Sequence, residues 1–537
     1  MKTSEKILRY LHKNEVNAVF GLPSGTISPI VDSFNDFNEI EYIITKNEAA
    51  ASYSACKYAR VTQKLGVCLI SGSVGVGNAI NGIAEATQSK SPVLILSGYV
   101  DTSKQGLGAI QELEAEKLLG GIVKHSKKIV DEKDVISSIK EAIEIAYEHP
   151  RGAVHIGLPL DVQKKEYTGL EYKAGEIKKA YTDYDSLKKA VDIINESKSG
   201  LLIVGGGCRR LGGKVKKLAE KLNWRLVTTI SAKGEIEEDF RLHMGYYGFS
   251  GTDLSDKYIK NENLECVIAL GSRLGECSTQ NFNKNLIKNK LIHIDIDKNV
   301  FDRAYKSDLN VEADLSEALD YITDSIDYKD LNNDITEPLN KAYKPNHTGL
   351  SLRILAEKIT NTMPRNTFYV NDIGSSKIFN LNYMKIPREG DFECNVNYAC
   401  MGSSIGAIGI SRIDTNRVIG VFIGDGSFYM NGMSELITAK KYNMKIVFFI
   451  INNSELRFVN EGHRKIFGRS LNEFCDDYIE IANIVRGMGI KAITIRENED
   501  IDNLKGFLSE VDGPIVVEVV TNTSETIPTN RYKSLKV

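Results

Sequence analysis

Arg417-Val-Ile-Gly-Val-Phe-Ile-Gly-Asp-Gly-Ser427 and Lys445-Ile-Val-Phe-Phe-Ile-Ile-Asn-Asn453 decide the fold of this chain. Each is a short apolar run closed by turn or polar residues, the pattern of a strand buried on both faces of a parallel sheet. Between them Met433, Leu436 and Ile437 recur at helical spacing. A strand-helix-strand unit brings the carboxyl ends of both strands to one sheet edge, where ligands bind in open α/β folds. Asp425 and Asn452 then project into one crevice. A carboxylate oxygen, a carboxamide oxygen and the backbone carbonyl of Ser454 suit Mg²⁺ or Ca²⁺, ions that also hold phosphates. Gly424 and Gly426 let the backbone approach a diphosphate closely, and the helix start that follows, at Ser427, offers free N–H groups.

The bulk composition fits that reading. The 537 residues exceed one ordinary core, with 42% hydrophobic and 26% charged residues and a net charge of −3. Such a charge is too small to imply nucleic-acid or membrane binding by long-range field, and the composition is that of a soluble globular protein. The start, Met1 to Lys13, reads as a charged amphipathic helix without the apolar centre of a signal peptide, and no apolar run reaches the roughly 18 residues a membrane span needs. Eight cysteines lie scattered without a C-x-x-C pair, as free thiols in a reducing compartment would, so the expected location is cytoplasmic.

Apolar runs and turn signals divide the chain into three α/β units, expected at 1–165, 185–325 and 349–525. The first carries strands at Asn17–Phe20, Tyr42–Thr45, Gly66–Ile70, Pro92–Leu96 and Ala153–Ile156. The second carries Gly200–Val204, which runs into Gly205-Gly206-Gly207, then Arg225–Thr229, Cys266–Leu270 and Leu291–Ile294. The third contains the opening motif and closes on Gly513–Val520. Polar stretches at 164–185 and 324–348 read as the boundaries. The fold class is therefore α/β, with three parallel-sheet domains.

Glu48 stands at the end of the Tyr42 strand and opens a helix over Ala49 to Arg60. By itself it reads as a helix-start acid favoured by the macrodipole. Downstream, Ser71-Gly-Ser-Val-Gly-Val-Gly-Asn78 is a strand-to-helix loop of the kind that admits a ligand against the backbone. Asn78 reads as a cap for the helix that follows.

These motifs, taken in order, resemble the thiamine-diphosphate (ThDP) enzyme family, in its branch of acetolactate synthases, pyruvate oxidases and pyruvate decarboxylases. The resemblance runs through Val19-Phe-Gly21, Asn47-Glu48, Gly72 to Asn78, Ile110-Gln111-Glu112, Val123 to Ser126, Gly152 to Val162, Gly271-Ser-Arg273, Ile294 to Asp297, Asp372-Ile-Gly374, Met401-Gly402 and the opening pair. It implies pyrimidine-binding, central and diphosphate-binding domains. It implies Glu48 as the acid at the pyrimidine N1′, with Gln111 near the thiazolium as a second catalytic residue and Met401 as the apolar wedge that bends the cofactor. Gly374, Ser375, Gly402, Asp425, Gly426, Ser427, Asn452 and Phe458 complete the expected cofactor site, and Asp425, Asn452 and Ser454 the Mg²⁺ site. For Lys124 the residues favour a solvated surface position, and neither His125 nor His463 has a carboxylate neighbour in sequence.

The same resemblance implies decarboxylation of a 2-oxo acid, usually pyruvate, with a fate for the two-carbon unit that differs between branches: ligation to a second carbonyl compound, oxidation, or protonation. Synthases carry a tryptophan-glutamine pair where Gly462-His463 stand and an arginine near Cys277, and both are missing here. Asn453-Ser-Glu-Leu-Arg-Phe-Val459 is closer to some pyruvate oxidases, whose quinone-linked members end in a membrane-binding tail that is not seen before Val537. The expectation is an acetolactate synthase-like carboligase with a widened acceptor site. Pyruvate oxidase and simple decarboxylase are the alternatives within the family, and a non-catalytic regulatory subunit is the alternative of another class. The glycines at 205–207 leave the central domain open between FAD, ADP and nothing. Relatives pair the first domain of one subunit with the third of another, which implies a homodimer or homotetramer.

Overall fold

The computed structural model describes residues 1–329, 337–345, 347–521 and 523–534. The boundary read at 324–348 thus lies partly outside the described residues. Three six-stranded sheets are present, and every strand pair in them is parallel. The first contains β1 (Ala18–Gly21), β2 (Glu41–Ile44), β3 (Gly66–Ser71), β4 (Val93–Tyr99), β5 (His125–Lys128) and β6 (Ala153–Pro159), in the order β2-β1-β3-β4-β6-β5. The second contains β7 (Gly200–Val204), β8 (Arg225–Thr228), β9 (His243–Tyr246), β10 (Cys266–Leu270), β11 (Lys290–Asp295) and β12 (Leu309–Glu312), in the order β12-β11-β10-β7-β8-β9. The third contains β13 (Phe368–Asn371), β14 (Asp391–Cys394), β15 (Ile419–Gly424), β16 (Ile446–Asn452), β17 (Lys491–Ile495) and β18 (Ile515–Val520), in the order β14-β13-β15-β16-β18-β17.

The first and third sheets therefore repeat one topology, and the second has the order of dinucleotide-binding folds. In each, the chain leaves a central strand toward one edge and returns on the other side, which opens a crevice at the carboxyl ends. In the third sheet that switch lies between β13 and β15, so the loops at Asp372–Gly374 and Gly424–Ser427 face one another by topology alone. β15 and β16 are the strands of the opening motif, paired from Ile419↔Ile446 to Gly424↔Ile451. The helix between them is Met433–Lys441, which buries Leu436 and leaves Ile437 outside.

The first and third domains share one continuous core. The helix Glu48–Thr62 is buried along almost its whole length and packs through Ala51, Ala55 and Cys56 into a cluster that includes Ile405, Ile408, Val421 and Phe448. Its approach to the third domain is close. A Cβ added at Gly409 would stand 2.0 Å from the Ser54 carbonyl oxygen, and one at Gly406 would stand 2.5 Å from Lys57 Cγ. On the other flank a Cβ at Gly82 would meet Ser52 Oγ at 2.1 Å.

Charge completes the junction of all three domains. Glu393 on β14 is fully buried, with Lys57 Nζ at 2.9 Å, Arg60 Nε at 3.2 Å and Arg209 Nη2 of the central domain at 2.5 Å. Burial alone would push this carboxyl up. Arg60, Lys57 and Arg209 overcome that and hold it at about 2.

Candidate active site

The crevice between β13 and β15 is a cavity of about 170 Å³ walled by residues 373–376, Met401, 424–427, Asn453 and 455–459. Asp425 is part of its wall, buried to 6% exposure. Its Oδ1 accepts the Gly426 N–H at 2.8 Å, and its Oδ2 accepts those of Asn453 at 3.0 Å and Ser454 at 2.7 Å. Burial raises this carboxyl, against the pull of those backbone donors. A buried acid held by three N–H groups and raised by desolvation is one that a cation at its remaining lone pairs would relieve.

The asparagine pair divides its tasks. Asn452 is the last residue of β16 and turns inward: its Nδ2 donates to Glu518 Oε1 at 2.6 Å and to the Ile479 carbonyl at 2.8 Å. Successive strand residues face opposite sides, so Asn453 reaches the cavity wall and Asn452 does not. Ser454 has φ 53° and gives its N–H to Asp425, while its carbonyl accepts from Asp476 N at 2.8 Å. The sequence reading assigns Asn452 and the Ser454 carbonyl to the metal; the structure turns the Asn452 amide toward Glu518, gives the Ser454 carbonyl to Asp476, and sets Asn453 on the cavity wall instead. Glu518, fully buried, also accepts from Tyr478 Oη, Thr494 Oγ1 and the N–H groups of Ile481 and Ala482.

Opposite lies the loop after β13. Gly374, at φ 124°, leads into the helix Ser375–Tyr383, and open space lies where its side chain would stand. Gly426 is more closely walled: a Cβ there would lie 3.3 Å from Leu456 Cδ2 and 3.5 Å from Met401 Cε. Met401 is part of the wall and Gly402, at φ 77°, follows it; the Gly402 N–H donates to Asp372 Oδ2 at 2.8 Å, and Ser404 Oγ to the same oxygen at 3.2 Å. Asp372 thus ties the Met401 turn to the Gly374 loop. Burial pushes its carboxyl up to about 6. Ser427 and Phe458 also line the cavity.

No residue of the first domain lines this cavity. Glu48 begins its helix with Asn47 as the cap, whose Oδ1 accepts from Ala49 N at 2.8 Å. The preceding loop is held by the third domain: Glu435 Oε1 accepts the Lys46 N–H at 2.7 Å, and Tyr442 Oη accepts that of Ile44 at 2.8 Å while donating to the Tyr42 carbonyl. Gln111 is exposed, at φ 64°, in a turn whose N–H groups at Gly108 and Ala109 close on Glu112. Glu48 and Gln111 are therefore not brought together with Asp425 within one chain.

Three further readings change. Asn78 caps no helix; it lies inside Val74–Gln88 and donates from Nδ2 to Glu48 Oε2 at 3.0 Å. Lys124 is no freely solvated side chain, because its Nζ donates to the carbonyls of Ile145 and Glu148. Gly462 faces Tyr532, whose ring atom Cε1 would stand 3.0 Å from an added Cβ, and Tyr532 Oη donates to the Phe458 carbonyl at 3.0 Å. The room opened by a glycine at 462 is thus taken by Tyr532. His463 stacks edge-on with Phe467 and Phe474. In the central domain, the N–H groups of Gly205 and Gly207 are spent on the carbonyls of Leu270 and Gly271. That glycine run serves a close crossing of two loops and leaves neither donor for a phosphate.

Three family models match the chain: the N-terminal TPP binding domain of thiamine pyrophosphate enzymes at residues 1–118, their central domain at 187–322 and their C-terminal TPP binding domain at 372–519. A probable acetolactate synthase large subunit of Methanocaldococcus jannaschii is 28% identical, over 98% of this chain and 93% of the relative. The acetolactate synthase large subunit of Lactococcus lactis is 27% identical over the same shares. Among solved structures, a thiamine diphosphate-dependent 4-hydroxybenzoylformate decarboxylase of Rhodococcus jostii superposes with a TM-score of 0.87 at 21% identity, covering 97% of this chain and 99% of that one. With three successive domain models in register with three parallel sheets, the chain belongs to the thiamine pyrophosphate enzyme family.

Proposed function

We propose that this protein decarboxylates a 2-oxo acid, pyruvate in the first instance, and transfers the two-carbon unit to a second carbonyl compound, with thiamine diphosphate and Mg²⁺ as cofactors. The observation that carries the reading is the donor set around Asp425, hard oxygens at a switch-point crevice beside open glycine loops. Asp425, the Asn453 side chain and a backbone carbonyl of the turn that follows would hold the metal. Gly374, Ser375, Gly426 and Ser427 would receive the diphosphate, with Met401, Gly402 and Phe458 shaping the wall. The bound cofactor supplies the electron sink that makes decarboxylation feasible. Glu48 would hold a proton at the pyrimidine N1′, and Met401 would press the cofactor into its bent shape. The names of the relatives favour ligation over protonation or oxidation.

The separation of Glu48 from the cavity supports a site composed from two copies of the chain. Large apolar side chains stand exposed at two places in one copy: Leu107 and Ile110, the latter 90% exposed, on the turn that carries Gln111, and Val459 on the cavity wall. Burying such side chains against each other is what a homodimer, alone or paired into a tetramer, would accomplish. Units at 1–165, 185–325 and 349–525 serve as the pyrimidine, central and diphosphate domains. A cytoplasmic setting agrees with the free cysteines, and no described helix is long and apolar enough to cross a membrane.

The test is incubation with pyruvate, Mg²⁺ and thiamine diphosphate, with products resolved by NMR. Acetolactate is expected; acetaldehyde alone or acetate alone would transfer the protein to the decarboxylase or oxidase alternative. A visible spectrum of the purified protein reports any flavin. Glu48→Gln should abolish turnover with the fold retained, and unchanged turnover would exclude the mechanism.

A further inference from the structure

Asn78 has no structural reason to be an asparagine. It sits in the second turn of Val74–Gln88, where asparagine is a poorer helix former than alanine. Its side chain is exposed, so no core packing selects it. Yet its Nδ2 reaches 3.0 Å from Glu48 Oε2. The other carboxylate oxygen is located too, since a Cβ added at Gly75 would stand 3.4 Å from Glu48 Oε1 and 2.7 Å from Ser71 Oγ. Ser71 Oγ in turn accepts the Gly75 N–H at 2.9 Å, which sets the distance of this turn from the acid.

We infer that Asn78 is a positioning residue for Glu48: it pins one carboxylate oxygen so that the other is presented, in one rotamer, to the pyrimidine ring. This rests on the function proposed above, with Glu48 as the acid at N1′. Without the pin, a glutamate at a helix start has several rotamers of similar energy, and only a fraction of them aim at the ring. Loss of this one hydrogen bond frees those rotamers.

The test is exchange of the thiazolium C2 proton for deuterium in the holoenzyme, followed by acid quench and NMR, a readout that needs neither substrate nor acceptor. Asn78→Ala should slow exchange by about tenfold to a hundredfold, with cofactor affinity and melting temperature close to wild type, because alanine suits the helix. Asn78→Gln, still a donor, should recover part of the rate. Near-ultraviolet circular dichroism of the bound cofactor should show the tautomer balance moving in the alanine variant. Wild-type exchange in Asn78→Ala would overturn the inference. So would a joint fall of exchange, affinity and melting temperature in both variants, which would make the contact mere scaffolding. Glu48→Gln in parallel separates the two levels: if it exchanges at the wild-type rate, the proposed function fails; if it is slow while Asn78→Ala is normal, only the role of Asn78 fails.

Discussion

Asp372 shows what a single residue contributes to this site. It carries no chemistry of its own, yet its Oδ2 gathers the Gly402 N–H and the Ser404 hydroxyl and so fixes Met401 against the Gly374 loop. Its folded-state pKa of about 6 lies above the ordinary carboxylate value. Between roughly pH 4 and 6 the native state therefore binds more protons than the unfolded chain, and stability falls as pH rises through that window. A shift of this size corresponds to about 3 kcal/mol. Asp372→Asn removes the titration, so the melting temperature of the cofactor-free variant, relative to wild type, should rise between pH 4 and 7. At this scale the sequence was legible in part. Asp425 could be read from its glycines and its strand. The asparagine was placed one position early, at Asn452, because the choice depends on which residue ends β16, and a shift of one position turns a side chain to the other face of the sheet.

At the scale of elements, the helix that follows the Asp425 turn also holds the loop that carries Glu48. Glu435 lies inside Met433–Lys441, fully buried, and accepts the Lys46 N–H while Thr438 Oγ1 donates to it at 2.6 Å. Glu435→Ala should expose the Lys46 amide, and exchange of residues 44–50 measured by mass spectrometry should accelerate by about tenfold or more, the equivalent of one hydrogen bond to a charged group. Unchanged protection would mean that the clamp bears no strain. Which strands could be read follows a simple rule. Strands buried on both faces announce themselves as apolar runs, and most of these were recognised. Five of the strands that escaped, β5, β9, β12, β14 and β17, are edge strands; four of them are partly solvated or carry charges such as the Lys127 and Lys128 of β5, whereas β9 is buried but reads His-Met-Gly-Tyr, too short and mixed to give an apolar run. The sixth, β13, is central and buried, and its four residues are no fewer than those of β1 and β8, which were read, so its length is not what hid it.

For the whole molecule, Glu393 is the counterpart of Asp372 with the sign reversed. Its pKa is depressed to about 2, so its contribution is complete above about pH 4.5 and is lost as pH falls toward 2. Glu393→Gln would leave Lys57 and Arg60 buried without their shared partner and should destabilise the fold by roughly 3–5 kcal/mol. Thermal melts from pH 2 to 7 check both points: the variant should melt lower at neutrality and lose less than wild type on acidification. None of this knot was visible beforehand, because Lys57 and Arg60 on one helix, Arg209 and Glu393 come from three different domains and meet only through tertiary structure. What the ordered motifs did disclose was the family and the three-sheet plan.

The seam where Glu48–Thr62 meets Gly406, Gly409 and Gly82 has a consequence for how this catalyst tolerates change. It works as an interference fit: at Gly409 backbone touches backbone, with only Ser54 main-chain atoms to meet an extra methyl, while Gly406 and Gly82 press on Lys57 and Ser52 side-chain atoms with Tyr53 backbone just behind. The acid at the head of that helix is therefore aligned by atoms that are absent. An enlargement at 409, remote from Glu48 in sequence, would travel along a rigid rod to the acid itself, and a neighbourhood that looks like inert packing is in effect the machine's alignment gauge.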